Sequence, residues 1–540
     1  MAEDTLIASL RRERPDYVEE ATAHKFFLDA IFGTGGFRGK HGATSASQLG
    51  WAAEAYSLVA SSQERADGFV NVKRDTYLDQ FPREELNKFD KRIDIAHYTN
   101  YVGPILDLLL SYINKAAVNR QSVPYNVEEW VQNADGHGTP WDTLKREVIV
   151  PRAAALGWCP VLFDVVGTAG EYGAGEDFSR ARRDELGISV RAIPLYPLNV
   201  IDFFCDDGGA LVALKLRTAH TVRSDLLSVG VSEERYSLWY PDRVIKYTVR
   251  TEDGKQPEIH STQEIAHSYG TIPLVSFRAK ATPEDRLRGV SMVANSAIAA
   301  RSLFNLESEM RDHIRNQVFA TLGIPVSDMA TNVGEIVSGT GSAIKVPHDS
   351  KMGLHYVAPP ASCAETLERR MEVTVREIYR TEQVEHAKAT GTQASSGIAR
   401  AYEFEQTNKR LGGAAMTLAR AEQEALRLVG SMLGDANAQS LTVSSPTDFS
   451  VEDLASEIDG VLTALTLKLG PTADTEMKRR LIGRMLPNLP VSTQEAIDSE
   501  LDDLRLQTEQ DDAFGDDKPG KDGKPEGDGE EVTEPGADAA

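Results

Sequence analysis

The chain has 540 residues, 41% hydrophobic and 26% charged, which is soluble globular composition and more chain than one simple core accommodates. Its formal net charge of −24 argues against a protein that coats nucleic acid by neutralising phosphates. The longest apolar run, 105–113, contains Asp107 and falls far short of the roughly 20 residues a membrane span needs, and residues 1–14 carry early acids and no apolar signal core.

In chain order, residues 1–125 read as mainly helical. "LIASLRRERPDYVEEATAHKFFLDAIF" has helical spacing up to a glycine-rich turn, and "RIDIAHYTNYVGPILDLLLSYINKA" is a second helical region. The turn "FGTGGFRGKHG" (Phe32–Gly42) resembles the opening motif of phosphohexomutases. The phosphoserine and acidic metal loops of those enzymes are missing, so it is read as a flexible turn. From about 145 the pattern changes to short β-rich stretches: "CPVLFDVV", "VRAIPLYPLNVIDFF", "ALVALKLRT", "RYSLWY", "RVIKYTVR" and "PLVSFRA". Between the first two, Gly167–Gly187 matches neither a dinucleotide fingerprint nor a Walker A loop and is read as a mobile surface lid.

A helix over 291–319 places apolar residues at 303, 306, 310, 314 and 318. Residues 320–360 break helix repeatedly and read as strands and turns. A second helix, 361–385, aligns Leu367, Met371, Val375 and Ile378 on one stripe. Then comes "HAKATGTQASSG", small, polar and nearly uncharged, a length of loop that is usually functional or disordered. A long helix from about Ile398 to Leu433 is expected to be interrupted at Gly412-Gly413. The C-terminal region is helical, with a start at Ser450 and a capping box from Ser492 to Glu495. Residues 511–540 carry eleven acids and three lysines among Gly and Pro, and are expected to be disordered; without them the chain still has a charge of −16.

No catalytic signature stands out. H-E-x-x-H, the G-x-S-x-G elbow, Walker A and Cys-His clusters are missing, and the eleven histidines are scattered. No cofactor and no metal is expected, and an enzyme would need a site assembled only in three dimensions. Cys159, Cys205 and Cys363 lie far apart, so buried free thiols in a reducing compartment are expected.

The order of these elements resembles the portal proteins of tailed bacteriophages, the ring-shaped head–tail connectors through which double-stranded DNA is packaged and ejected. "DKRIDIAHYTNYVGPILDLLLSYI" looks like the family's N-terminal helix with its aromatic-Asn element. "WVQNADGHGTPWDTLKREVIVPRAAALGWCPVLFDVV" looks like its helix leading, after a Gly, into a buried strand. "AIPLYPLNVIDFF" resembles the next strand region, and "YGTIPLVSFRA" the Pro-containing strand before the stem. The likeness runs from about 75 to 435 through collinear, loose motifs.

The resemblance implies an α+β portal-type subunit. After an N-terminal helical segment (1–74) come an α/β wing (75–290), a first stem helix (291–319), a β-rich clip (320–360) and a second stem helix (361–385). A tunnel loop (386–397), a long kinked helix (398–434), a helical crown (435–510) and the acidic tail (511–540) follow. On this reading the tunnel loop exposes Lys388, Thr390, Gly391, Thr392, Gln393, Ser395 and Ser396 to the channel. Leu306, Met310 and Ile314 would pack against Leu367, Met371 and Ile378 within the stem. Twelve copies would form the ring at one capsid vertex of the virion, assembled in the host cytoplasm. Its partners would be the terminase large subunit, the major capsid protein and scaffold, and neck, adaptor or tail proteins. Duplex DNA would pass non-specifically, centred by acidic walls with weak contacts from Lys388, and no membrane is involved. The alternatives are another capsid- or tail-associated structural protein, or an enzyme with an unrecognised site.

Overall fold

The computed structural model describes residues 3–37, 76–82, 84–115, 118–166, 189–223, 231–251, 256–267, 269–283, 285–318, 321–326, 343–347, 355–358, 360–384, 397–446, 449, 463, 470–485 and 491–514. The chain divides into two compact units, Met1–Ser450 and Val451–Ala540. Both helices and sheets are present, so the α+β class expected from the sequence holds. The region 435–510 is shared between the two units. The glycine-rich segment at 167–187 and the acidic tail beyond 514 lie outside the described residues, as does Ser450.

In the first unit, helices α1 (Glu3–Arg11), α2 (Tyr17–Phe32), α3 (Leu86–Ile95) and α4 (Val102–Lys115) precede a short strand, β1 (Asn119–Gln121). Helix α5 (Tyr125–Val131) and a helical stretch α6 (141–156) follow. Residues 145–149 of α6 form a π turn just ahead of Pro151, whose missing N–H and bulky ring cannot be fitted into a regular ladder. Gly157, at φ +94°, then turns the chain into β2 (Trp158–Val166), as the helix–Gly–strand pattern predicts. A Cβ there would sit 2.6 Å from the Gly289 carbonyl oxygen, so the position tolerates no side chain.

Strands β3 (Ser189–Pro194), β4 (Val200–Cys205), β5 (Leu211–Val222), β6 (Val231–Trp239), β7 (Arg243–Thr251), β8 (Glu258–Ala266) and β9 (Leu274–Arg278) complete two antiparallel sheets. One has the order β3-β2-β9, the other is a meander, β4-β5-β6-β7-β8. The sequence reading missed β8, because its residues are polar and mostly exposed along a sheet edge. Strand β2 reads as an apolar run over 158–163 because both its faces are covered there. Trp158 and Leu162 join Leu214, Leu216, Trp239 and Val244 in a smaller cluster, while Cys159, Val161 and Phe163 belong to the main core.

Helix α7 (Ala294–Val318), the strands β10 (Thr321–Val326), β11 (Ala343–Pro347) and β12 (His355–Val357), and helix α8 (Ala361–Thr381) come next. The three strands form one small sheet of order β11-β10-β12. Helix α9 (Gly397–Met432) then runs 36 residues without interruption through Gly412-Gly413, correcting the expected break. Its buried stripe, Leu411, Ala414, Leu418, Ala421, Ala425 and Val429, follows helical spacing, and hydrophobic burial on both sides of the glycines holds the ladder together. Strand β13 (Thr442–Ser444) pairs antiparallel with β1. The second unit has α10 (Pro471–Met485) and α11 (Val491–Phe514), bridged by Arg479, which pairs with Asp498 at 2.7 Å and Asp502 at 3.3 Å. Helix α11 begins one residue before Ser492, so the expected cap residue is already inside the helix.

Residues 92–115 do not form one helix. The chain leaves α3 at Ala96 in an extended conformation because the aromatic-Asn element serves the end of α2. Tyr98 Oη donates to the Ala30 carbonyl at 2.7 Å and Asn100 Nδ2 to the Ile31 carbonyl at 2.6 Å, satisfying carbonyls that a helix end leaves without partners. The expected flexible turn after α2 is packed over its described part. Buried Asp29 accepts bonds from Thr34 Oγ1 and Tyr77 Oη, both at 2.8 Å, and Phe37 lies in an aromatic cluster with Tyr77, Tyr98 and Phe304. Gly36 lets Tyr77 approach, since a Cβ would meet that ring at 2.7 Å. Of the three cysteines only Cys159 is buried; Cys205 is half-buried and Cys363 exposed.

Polar anchors tie α2 to the sheets. Glu20 accepts Trp158 Nε1 at 2.9 Å and pairs with Arg14, and Tyr17 Oη donates to the Leu198 carbonyl at 2.7 Å. His24 is buried beside them with its Nδ1 unpartnered, and burial pushes its pKa below the ordinary 6.5. The unfolded chain therefore takes up this proton first, so stability falls as pH drops below about 6.5. The unfolding temperature should decrease between pH 7.5 and pH 5.5, and His24→Gln should flatten that dependence; an unchanged slope in the variant would show that His24 does not contribute.

Candidate functional site

The helix pair α7/α8 and its junction with α9 form the candidate site. The buried stripe of α7 consists of Ser296, Ala297, Ala300, Leu303, Phe304 and Ser308, a three-and-four spacing that stops at Ser308. Beyond that point Ile314 and Val318 continue the same stripe but are 45% and 69% exposed. Helix α8 buries only Thr374 and Ile378 and is otherwise rich in charge.

The stem residues named from the sequence are placed accordingly. Ile378 is fully buried, and Leu306, Met310, Leu367 and Met371 are half-buried. Met310 and Met371 meet in a groove of about 740 Å³ with Tyr101, Leu303 and Val375, alongside Glu307, Glu368 and Glu372. All seven tunnel-loop residues, Lys388, Thr390, Gly391, Thr392, Gln393, Ser395 and Ser396, lie outside the described residues.

The sequence reading passed over the polar side chains that hold the pair in place. Arg92 of α3 is buried, grips both Glu84 oxygens at 3.0 and 2.9 Å, reaches Ser308 Oγ at 3.3 Å and covers the Phe81 ring at 3.9 Å. Its bonds hold the Glu84 carboxyl below the usual carboxylate range against the opposing effect of burial.

At the junction, Glu382 just beyond α8 is 1% exposed. Its Oε1 accepts the backbone N–H of Ser296 at 3.0 Å, in the first turn of α7, where a carboxylate complements the helix dipole. Its Oε2 pairs with Arg410 of α9 at 2.6 Å, and Arg410 Nη1 also donates to the Glu382 carbonyl at 2.6 Å. A further bond runs from Arg410 to the Met292 carbonyl, and Thr407 Oγ1 donates to the Gln383 carbonyl. Gln383 takes a left-handed φ of +58°, and Val384 is fully buried. The chain therefore enters residue 385 from a point fixed to three helices. An i,i+4 reading of charges cannot find such a site, because its partners are 28 and 86 residues from Glu382.

Neither a protein-family model nor a curated protein matches the sequence. Among solved structures, the chain is similar to one from the neck of an empty GTA particle computed with C6 symmetry. Identity is 13%, the TM-score is 0.37, and the alignment covers 68% of this chain and 86% of that one. Among the described residues, no group of three His, Cys, Asp or Glu side chains is placed to hold a metal, and no helix is long and apolar enough to cross a membrane.

Removing one partner of a buried ion pair leaves the other charge uncompensated, at about 3–5 kcal/mol. Glu382→Ala should therefore lose about 3 kcal/mol in chemical denaturation. Met310→Ala, at a half-buried position, should lose less; equal losses would mean that the junction is not the stronger constraint.

Proposed function

We propose that this chain is the subunit of a portal: a ring of twelve copies at one capsid vertex that passes double-stranded DNA and has no chemistry of its own. The observation that carries the reading is the pairing of α7 with α8 through the small sheet β10–β12, followed directly by residues 385–396 and then by the long helix α9. That is the chain order of stem, clip, stem, tunnel loop and long helix in the family whose motifs the sequence resembles. The apolar stripe of α7 supports it further. Ile314 and Val318 extend the stripe past its last buried residue, Ser308, while Ile298, 62% exposed, lies on the opposite side of the helix. Two different apolar faces on one helix suit a head-to-tail contact between copies, the kind that closes into a ring.

On this reading 320–360 meets the terminase and later the neck, adaptor or tail proteins. The remaining body contacts the capsid protein and scaffold, and Lys388 repeats around the narrowest part of the channel. The chain then belongs to the virion, assembled in the host cytoplasm.

Electron microscopy of the purified full chain should show rings with a central hole. Ile314→Asp with Val318→Asp should keep the unfolding temperature within a few degrees and shift rings towards monomers, because these side chains are 45% and 69% exposed. Monomers at every concentration, with capsid protein and scaffold present, would overturn the reading. Shortening 390–396 changes loop-closure entropy by well under ~1 kcal/mol, so rings should persist while the DNA packaged or retained changes. Lys388→Ala should give a milder defect, since a screened contact to a moving phosphate is weak. Wild-type DNA content in particles with the shortened loop would remove the channel role from this segment.

A further inference from the structure

The chain is acidic overall, yet one face of the five-stranded sheet gathers cations around a single buried carboxylate. Glu233 on β6 pairs across the sheet with Arg250 on β7, and Arg235 follows two residues along the same face. The Glu233 side chain is 3% exposed and its two oxygens are divided between the arginines: Oε1 accepts Arg235 Nε at 2.7 Å and Oε2 accepts Arg250 Nε at 2.9 Å. Hydrogen bonds from Arg250 and then Arg235 hold this carboxyl below the usual carboxylate range.

Both bonds use Nε. Among the described residues, no partner takes the Nη groups of either arginine, and the two side chains are 54% and 39% exposed. They line a cavity of about 350 Å³ together with Ser237, Lys246, Thr248, His260 and Ser261. His260 joins through an irregularity in the strand. The register passes from Val249↔Ile259 to Thr248↔Ser261, which leaves His260 as the extra residue of a bulge. Lys246, on the same face, adds a third cation and is 3.3 Å from Asp164.

We propose that this cavity is an oxyanion site that takes a phosphate group, held by the Nη groups of Arg235 and Arg250. Guanidinium forks match phosphate oxygens in pairs, and two forks with three nearby hydroxyls supply more donors than one planar carboxylate accepts. Glu233 is the positioning residue: it orients both guanidinium groups without touching the ligand. The phosphate could belong to a small molecule in solution or to a nucleic-acid backbone. The site is independent of the portal reading.

The test is calorimetric titration of the full chain with inorganic phosphate at fixed ionic strength, repeated in the presence of a short DNA duplex. Arg235→Gln and Arg250→Gln should each weaken phosphate binding at least tenfold. Glu233→Gln makes the patch more positive by one charge, so a diffuse cationic surface would bind phosphate more tightly; a positioned site should bind it several-fold more weakly. Arg235→Lys keeps the charge, loses the fork, and should also weaken binding, which provides a second discrimination should Glu233→Gln fold poorly. Displacement of phosphate by the duplex would identify a nucleic-acid backbone as the natural source, and lack of displacement a free phosphate compound; either upholds the site. No saturable phosphate binding in the millimolar range, or binding undiminished in both Glu233→Gln and Arg235→Lys, overturns it.

Discussion

The buried pair between Glu382 and Arg410 is the constraint on which the helical half of the first unit depends. A carboxylate 1% exposed is tolerable only when its oxygens are all engaged, and here one caps the start of α7 while the other meets a guanidinium from α9. Because the same arginine also reaches two backbone carbonyls, the start of α7, the end of α8 and the body of α9 cannot move independently without leaving a buried group unsatisfied. Hydrophobic contact alone would let helices slide by a turn. A carboxylate with two specific partners sets the register.

A second carboxylate performs the same task further along α9. Glu422, also 1% exposed, accepts Arg120 Nη2 at 2.6 Å, Lys145 Nζ at 2.7 Å and Trp141 Nε1 at 3.3 Å. It fastens the long helix to β1 and α6, while the small side chains of Ala414 and Ala421 allow close packing along the stripe between the two anchors. Gly430 continues that logic near the C-terminal end, where a Cβ would collide with Ala438. The helix passes through Gly412-Gly413 unbroken because these tertiary contacts outweigh a local cost of roughly 1 kcal/mol per glycine.

Charge in this protein is therefore organised at two levels. The net excess of acids suits a surface that repels a DNA backbone, as the proposed channel requires. Locally, individual carboxylates are surrounded by arginines: Glu84 by Arg92, Glu382 by Arg410, Glu233 by Arg235 and Arg250. In the first two cases the cation is enclosed by the fold. In the third the guanidinium tips remain open to a cavity, which is why that cluster alone points to a ligand.

The sequence by itself determined the class of most elements and their order. Periodicities of 3.6 and 2 are written in consecutive residues, so α7, α8, α9 and the strands β2, β5, β7 and β9 were legible from side chains close together in the chain. The polar edge strand β8 was not legible, because its residues face solvent and leave no apolar alternation. Only the tertiary structure decided that Tyr98 and Asn100 break a helical pattern to satisfy the end of α2, and that Gly33 and Gly36 are packed against aromatic rings. It also decided how far the stripe on α7 is covered, leaving Ile314 exposed where spacing alone placed it with Met310 and Leu306. The junction at Glu382 and the arginine cluster at Glu233 belong to the same category. Local pattern records which way a residue faces on its own element, whereas the energy of a buried charge depends on partners brought from distant parts of the chain.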